Sequence, residues 1–282
     1  MLYVEEACMR LCTYLDGETT KSGIILGESL CPLQESNIKD VILKYDVAAL
    51  QSIVSDNDEA PINLKDIELT NPYLDPPKIW GIGLNYREHA KDLDESSPDE
   101  EPASFMKPTT TIVAPGSPIM LPAQSDRVTG EAELGVIIGK RCKDVSLSQA
   151  SQVIFGYTTI IDMTAEDILR RNPRFLTRSK SFDTFFSFGP IVVTADEIDN
   201  LSAVTVRTIL NGKVGAENIV ANMTFGPLEL VSFHSHVMTL EPGDIISTGT
   251  PGALKLSHGD KIGCAVEGVG TLYNPVVDKS EV

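Results

Sequence analysis

No run of about eighteen or more apolar residues occurs in this chain, so the sequence offers no membrane-spanning helix. Positive charge is also scarce. Lys and Arg number 23 against 40 Asp and Glu, for a formal net charge of −17. A surface of that sign repels a phosphate backbone, which argues against nucleic acid as a partner. It also means that an anionic ligand needs local positive charge wherever it binds. The N-terminus, Met1-Leu2-Tyr3-Val4-Glu5-Glu6, is acidic where a secretory signal is basic, and the expectation is a cytoplasmic protein. The five cysteines, Cys8, Cys12, Cys31, Cys142 and Cys264, contain one close pair, Cys8 and Cys12, and no second pair that completes a structural zinc site. They read as reduced thiols of a reducing compartment. No repeat of solenoid length is present.

What is there is apolar material, 42% of 282 residues, enough for one large domain or a large and a small one. Short apolar runs over residues 10–33, punctuated by Gly17, Gly23 and Gly27, read as small antiparallel strands with turns. Over residues 37–54, Ile38, Val41, Ile42, Ala48, Leu50 and Ile53 have the spacing of one or two amphipathic helices. The acidic stretch 55–61 reads as a linker, so a small N-terminal α/β domain is expected over residues 1–68 and a catalytic domain over 69–282. The latter carries apolar strands at 78–83, 134–138, 157–161, 190–194 and 204–210. The last runs into Asn211-Gly212, a strong hairpin signal. Turns at 240–244 and 257–260 feed further strands, and helices are expected at 146–152, 165–171 and 227–237. Many short strands with few helices define an α+β, mainly β, class.

Three carboxylates stand out against this pattern. Glu131 and Glu133 immediately precede the strand at 134–138. Residues i and i+2 of a strand share a side about 7 Å apart, so the pair repels and needs water, a basic partner or a cation. Asp162 directly follows the strand at 157–161 and is disfavoured within it. The plain alternatives are a solvated strand end for the glutamates and a helix cap for Asp162, with Thr164 as the competing cap. Taken together, the three make a hard, all-oxygen set suited to Mg²⁺ or Mn²⁺, and less to Ca²⁺.

Among the histidines, His89 has the most informative setting, on a turn that leaves a strand and enters a helix. Asp92, three residues on, is placed to accept from the imidazole and support its use as a base; the alternative is a surface histidine. His234 and His236 lie two apart in a helix and face different ways, and His258 sits in an exposed turn. Lys180 is a single charge among small and aromatic residues. It either neutralises an anionic substrate or a developing enolate, or forms an ordinary ion pair with Asp183. The acidic segment 92–104 is a solvated loop or a lid beside His89.

These pieces fall in a telling order: Gly83-Leu84-Asn85-Tyr86 with His89, Phe105-Met106-Lys107-Pro108, Glu131-Ala132-Glu133-Leu134, Gly156-Tyr157 through Asp162, Lys180-Ser181-Phe182-Asp183, Met238 through Asp244, and Thr248-Gly249-Thr250-Pro251. From about Pro77 to Val277 the chain resembles the fumarylacetoacetate hydrolase superfamily. The resemblance implies a distorted β-roll with a variable N-terminal domain, usually a homodimer. It implies a metal on Glu131, Glu133 and Asp162, catalytic roles for His89, Asp92 and Lys180, and substrate binding by Thr250 with its neighbour Gly249. The implied substrate is a small 2-oxo acid of the acylpyruvate or oxaloacetate type. Its C3–C4 bond would break through a metal-stabilised pyruvate enolate. The competing readings are isomerisation or hydration of an unsaturated 2-oxo dioate such as 2-hydroxyhepta-2,4-diene-1,7-dioate, and a non-catalytic, metal-dependent ligand-binding protein.

The sequence departs from the family pattern in several places. Asp92 replaces the usual glutamate. Glu166 and Leu169 stand where many members place an arginine and a glutamine that hold the substrate carboxylate, leaving Arg170, Arg171, Arg174 or Arg178 to take over. Gly130 replaces a common tyrosine and is expected to open space beside the metal.

Overall fold

The apolar runs at 134–138 and 157–161 seed the two longest strands of the molecule. The computed structural model describes residues 9–56, 61–88 and 98–278. Its first strands are β1 (Arg10–Asp16), β2 (Thr19–Leu26), β3 (Ser29–Pro32) and β4 (Ile62–Asn63). Between β3 and β4 lie helices α1 (Ile38–Lys44) and α2 (Val47–Asp56). Next come β5 (Ile79–Gly83), β6 (Ala103–Met106), β7 (Ile112–Val113) and β8 (Ile119–Leu121). The long central strands are β9 (Val128–Ile138), β10 (Ile154–Ala165) and β11 (Phe186–Thr194). They are followed by β12 (Thr205–Leu210), β13 (Lys213–Ile219), β14 (Ile245–Ser247), β15 (Ala253–Lys255), β16 (Lys261–Val266) and β17 (Gly270–Asp278).

Twelve strands form one sheet in the order β4-β3-β2-β1-β11-β10-β9-β14-β5-β6, with β15 added to β9 and β7 to β11; five more form a second, β13-β12-β16-β17-β8. The class is therefore α+β, mainly β. The strands of the first 68 residues extend the large sheet, because β1 pairs with β11 at Arg10↔Val193 through Cys12↔Ile191. Helices α1 and α2 bury Ile38, Val41, Ile42 and Leu50 in the same core as Ile79, Ile137, Phe155 and Ile245. Asn37 caps α1 by accepting from the Asp40 N–H. At Asn211-Gly212 both φ angles are positive, 52° and 78°, and a two-residue turn joins β12 to β13 as the dipeptide demands.

Strands β9 and β10 separate two cores. Ala132, Leu134, Val136, Tyr157, Ile161 and Met163 pack into one, toward the second sheet. Ile137, Phe155 and Ile160 pack into the other, toward the N-terminal helices. All twelve residues of β10 are buried. Such two-sided burial explains why both strands read as continuous apolar runs rather than as alternation.

Both strands are longer than the sequence suggests. Glu131 and Glu133 lie inside β9 rather than before it, and Asp162 lies inside β10 rather than after it. The ladder continues through Asp162↔Glu131 to Ala165↔Val128. Asp162 is not a helix cap: the helix Glu166–Arg171 starts at Ala165 with no side-chain capping bond. Local propensity against aspartate in strands is overridden by the partners its carboxylate meets. At 147–153 the expected helix is a 3₁₀ helix, and the helix Pro227–Val237 has the expected bounds.

Candidate active site

Antiparallel pairing sets Glu131 directly opposite Asp162, and the strand period puts Glu133 on the same face as Glu131. One oxygen from each of Glu131, Glu133 and Asp162 lies within 4.8 Å of the others. Glu133 and Asp162 are each 1% exposed, so their charges need partners. Two lysines supply some of them. Lys180 Nζ is 2.7 Å from Asp162 Oδ2 and 3.0 Å from Glu131 Oε2. Lys107 Nζ donates to Asp162 Oδ1 and lies 3.3 Å from the Met163 carbonyl. The Phe105 ring covers Lys180, its centroid 4.9 Å from Nζ.

Neutral donors meet Glu131 Oε1 and Glu133 Oε2. Thr164 Oγ1 donates to Glu131 Oε1 at 2.5 Å. The Ser247 hydroxyl and the Gly249 N–H both donate to Glu133 Oε2, the latter at 2.8 Å. Each acid is thus held from behind while the three converge.

The electrostatics of the group are uneven. Burial, which alone would raise the Asp162 pKa, is outweighed by Lys107 and Lys180, and the carboxyl is held below its usual range. At Glu133 burial wins, Asp162 and Glu131 add to it, Lys180 opposes it, and the pKa is pushed up to about 8. Burial lowers the Lys107 pKa. At Lys180 burial is outweighed by Asp162, Glu131 and Glu133, and the pKa rises. Three acids with two cations leave Glu133 short of positive charge. A buried, convergent set of hard oxygens with that deficit fits a divalent cation such as Mg²⁺ or Mn²⁺.

Lys180 therefore pairs with the triad and not with Asp183. Lys107 is the residue that sequence reasoning missed. Its motif was visible, but only the fold reveals that the lysine just after β6 turns inward, where lysine is seldom found. Gly130 is a correction. A Cβ there would meet Ile262 Cγ1 at 2.9 Å and Leu256 Cδ1 at 3.3 Å. Neighbouring residues of a strand point to opposite faces, so Gly130 relieves the packing behind Glu131 and opens no space beside the triad.

Gly249 adopts φ +96° beside Glu133. Thr250 is buried, and its hydroxyl bonds with Gly252. Glu166 is buried between Arg127 and Arg170, and Arg171 pairs with Asp167. Arg174 and Arg178 are exposed, and no ion pair to either occurs among the described residues. His89 and Asp92 lie outside the described residues, as does the 92–97 part of the acidic segment. His234 is buried against Trp80, with ring centroids 4.6 Å apart, whereas His236 and His258 are exposed. Among the described residues no helix is long and apolar enough to cross a membrane.

The two longest strands of a mainly β fold thus converge buried Glu133 and Asp162 and half-buried Glu131 on two lysines. Residues 78–277 match the model of the fumarylacetoacetate (FAA) hydrolase C-terminal family, and the chain belongs to that superfamily. It is 34% identical over 246 residues to a mitochondrial oxaloacetate tautomerase of Xenopus laevis, covering 83% of this chain and 77% of the relative. Among solved structures, 2-hydroxyhepta-2,4-diene-1,7-dioate isomerase from Mycobacterium marinum is 33% identical, with a TM-score of 0.80 over 96% of this chain and 99% of that one. Maleylpyruvate hydrolase from Sphingobium sp. SYK-6, solved with manganese(II) and pyruvate, is 27% identical, with a TM-score of 0.80 and coverage of 96% and 99%.

Proposed function

We propose that this chain is a divalent-metal-dependent hydrolase or decarboxylase that cleaves the C3–C4 bond of a small 2-oxo acid. The observation that carries the reading is the convergence of Glu131, Glu133 and Asp162 on Lys107 and Lys180. A bound Mg²⁺ or Mn²⁺ would supply Lewis acidity toward the carboxylate and 2-oxo oxygens of the substrate. Lys180 holds positive charge beside the site, where an enolate needs it. Lys107 keeps one oxygen of Asp162 occupied and fixes that carboxylate. His89, supported by Asp92, takes a proton from water when the reaction is hydrolysis. Thr250, Gly249 and Arg178 bind substrate. Of the arginines that sequence reasoning offered for the substrate carboxylate, Arg170 and Arg171 are taken by Glu166 and Asp167, which favours Arg178 or Arg174. The manganese and pyruvate of the maleylpyruvate hydrolase structure support this reading.

The second reading is proton transfer within an unsaturated 2-oxo dioate, favoured by the similarity to the isomerase and the tautomerase. One substrate panel separates them. Acylpyruvates, oxaloacetate and unsaturated dioates are assayed with Mg²⁺ and Mn²⁺, and pyruvate release and diene absorbance are followed together. Cleavage releases pyruvate, whereas isomerisation changes the absorbance without it. Full turnover in excess chelator sinks the metal reading. His89→Ala is expected to harm acylpyruvate hydrolysis more than oxaloacetate decarboxylation, and equal losses would remove its water-activating role. The expected homodimer is tested by light scattering on the purified chain.

A further inference from the structure

The turn that leaves β5 carries Asn85, which is 1% exposed. Its Nδ2 donates to the Thr248 carbonyl at 2.7 Å and to the Phe225 carbonyl at 2.9 Å, and its Oδ1 accepts from the Phe225 N–H at 2.9 Å. The Asn85 carbonyl accepts from the Thr224 N–H at 2.7 Å. One amide therefore joins chain segments separated by 140 and 163 residues. None of these bonds goes to the triad.

Thr248 sits between Ser247 and Gly249, the two residues that donate to Glu133 Oε2. The Gly249 backbone lies hard against Asn85: a Cβ at Gly249 would stand 2.7 Å from Asn85 Cβ and 3.2 Å from the Ile82 carbonyl. Only glycine reaches φ +96° at that distance without strain. The Asn85 amide thus fixes the height and tilt of a three-residue backbone whose two flanking donors share one carboxylate oxygen.

We propose that Asn85 is a positioning residue for the triad. It fixes the 247–249 backbone so that the Ser247 hydroxyl and the Gly249 N–H set the rotation of the Glu133 carboxylate. The inference rests on the metal reading above. Outer partners that orient metal ligands govern affinity even though they never touch the ion.

Mn²⁺ affinity, measured by calorimetry or electron paramagnetic resonance on the full chain, provides the test. Asn85→Ala is expected to weaken Mn²⁺ binding about tenfold or more. The control is Thr13, whose hydroxyl donates to the Pro72 carbonyl at 2.7 Å and accepts from the Ile38 N–H at 3.2 Å, equally buried but on β1, which β11 separates from β10. Thr13→Ala should lower Tm and leave Mn²⁺ affinity within about twofold of wild type, since sites with no shared partners do not couple. Ser247→Ala should weaken binding too. Its effect should fail to add to that of Asn85→Ala, because both act through Glu133. Asn85→Ser, which keeps a small donor, serves where the alanine variant does not fold, and should recover part of the affinity. Wild-type affinity in Asn85→Ala, an equal loss in Thr13→Ala, or full additivity with Ser247→Ala each overturns the positioning role while leaving the metal reading intact. Absence of Mn²⁺ binding by the wild type overturns both.

Discussion

The short strand β14 has a buried acid at each end, and the two ends are built differently. Before it, Asp244 is fully buried; its Oδ2 is 2.7 Å from Lys78 Nζ and accepts from the Glu241 N–H. One acid meets one lysine inside a tight turn. Beyond it, Ser247 and Gly249 hold Glu133, which belongs to a group of three acids and two lysines. The first group closes its charge account and serves the fold. The second has one acid more than it has lysines, and no lysine pairs with Glu133 among the described residues. The two groups differ in stoichiometry rather than in burial, since Asp244 and Glu133 are both buried.

The comparison breaks most sharply at the triad itself. Glu131→Ala or Asp162→Ala should reduce metal-dependent turnover to background, as measured by initial rates with Mn²⁺; full activity in either variant would return these acids to a structural role. Next in size are the lysines. Lys78→Ala strands Asp244 and should cost about 3–5 kcal/mol in metal-free protein, read from urea unfolding; Lys107→Ala leaves Asp162 to Lys180 alone and should cost less. Saturating Mn²⁺ should shrink the deficit of the Lys107 variant and leave that of the Lys78 variant unchanged, because a ligand stabilises only the state it binds. Equal rescue of both would erase the distinction between the two ends.

The smallest effect is one of sign. Burial outweighs Lys78 and raises the Asp244 pKa, whereas Lys107 and Lys180 outweigh burial and lower that of Asp162. For Asp244 the folded state binds protons more readily than the unfolded one. Its contribution to stability therefore declines as pH rises from the ordinary value of about 3.9 through the raised one. Asp162 contributes stability that is present above about 3.9 and is lost as pH falls through its lowered value. In chelator, Asp244→Asn should remove the first decline from the stability profile and keep the second. Loss of both together would mean that the two acids titrate as one unit.

Much of the centre was legible in the sequence because its residues sit on strands with strong apolar signals. The spacing of Glu131 and Glu133 gave a shared face, and Asp162 stood at an improbable place. What escaped was the extent of the strands. A carboxylate inside an apolar run looks like a boundary, and only Lys107 and Lys180, brought in from 55 and 18 residues away from Asp162, make it an interior position. The same limit hid Lys107 and Asn85, whose partners lie far along the chain. Gly130 was a different kind of miss. Alternation along β9 already assigns it to the face opposite Glu131.

That glycine also makes β9 a thin partition with the acidic group on one side and an apolar core on the other. Ile262 presses within reach of the strand exactly one residue from a metal-ligand candidate. Any attempt to make the protein hardier by filling the space around Ile262 and Leu256 would push on the partition and tilt Glu131 and Glu133 on its far side. Stabilising changes would therefore be better sought elsewhere, and an activity change that follows a distant-looking substitution in the second sheet would have a short mechanical route.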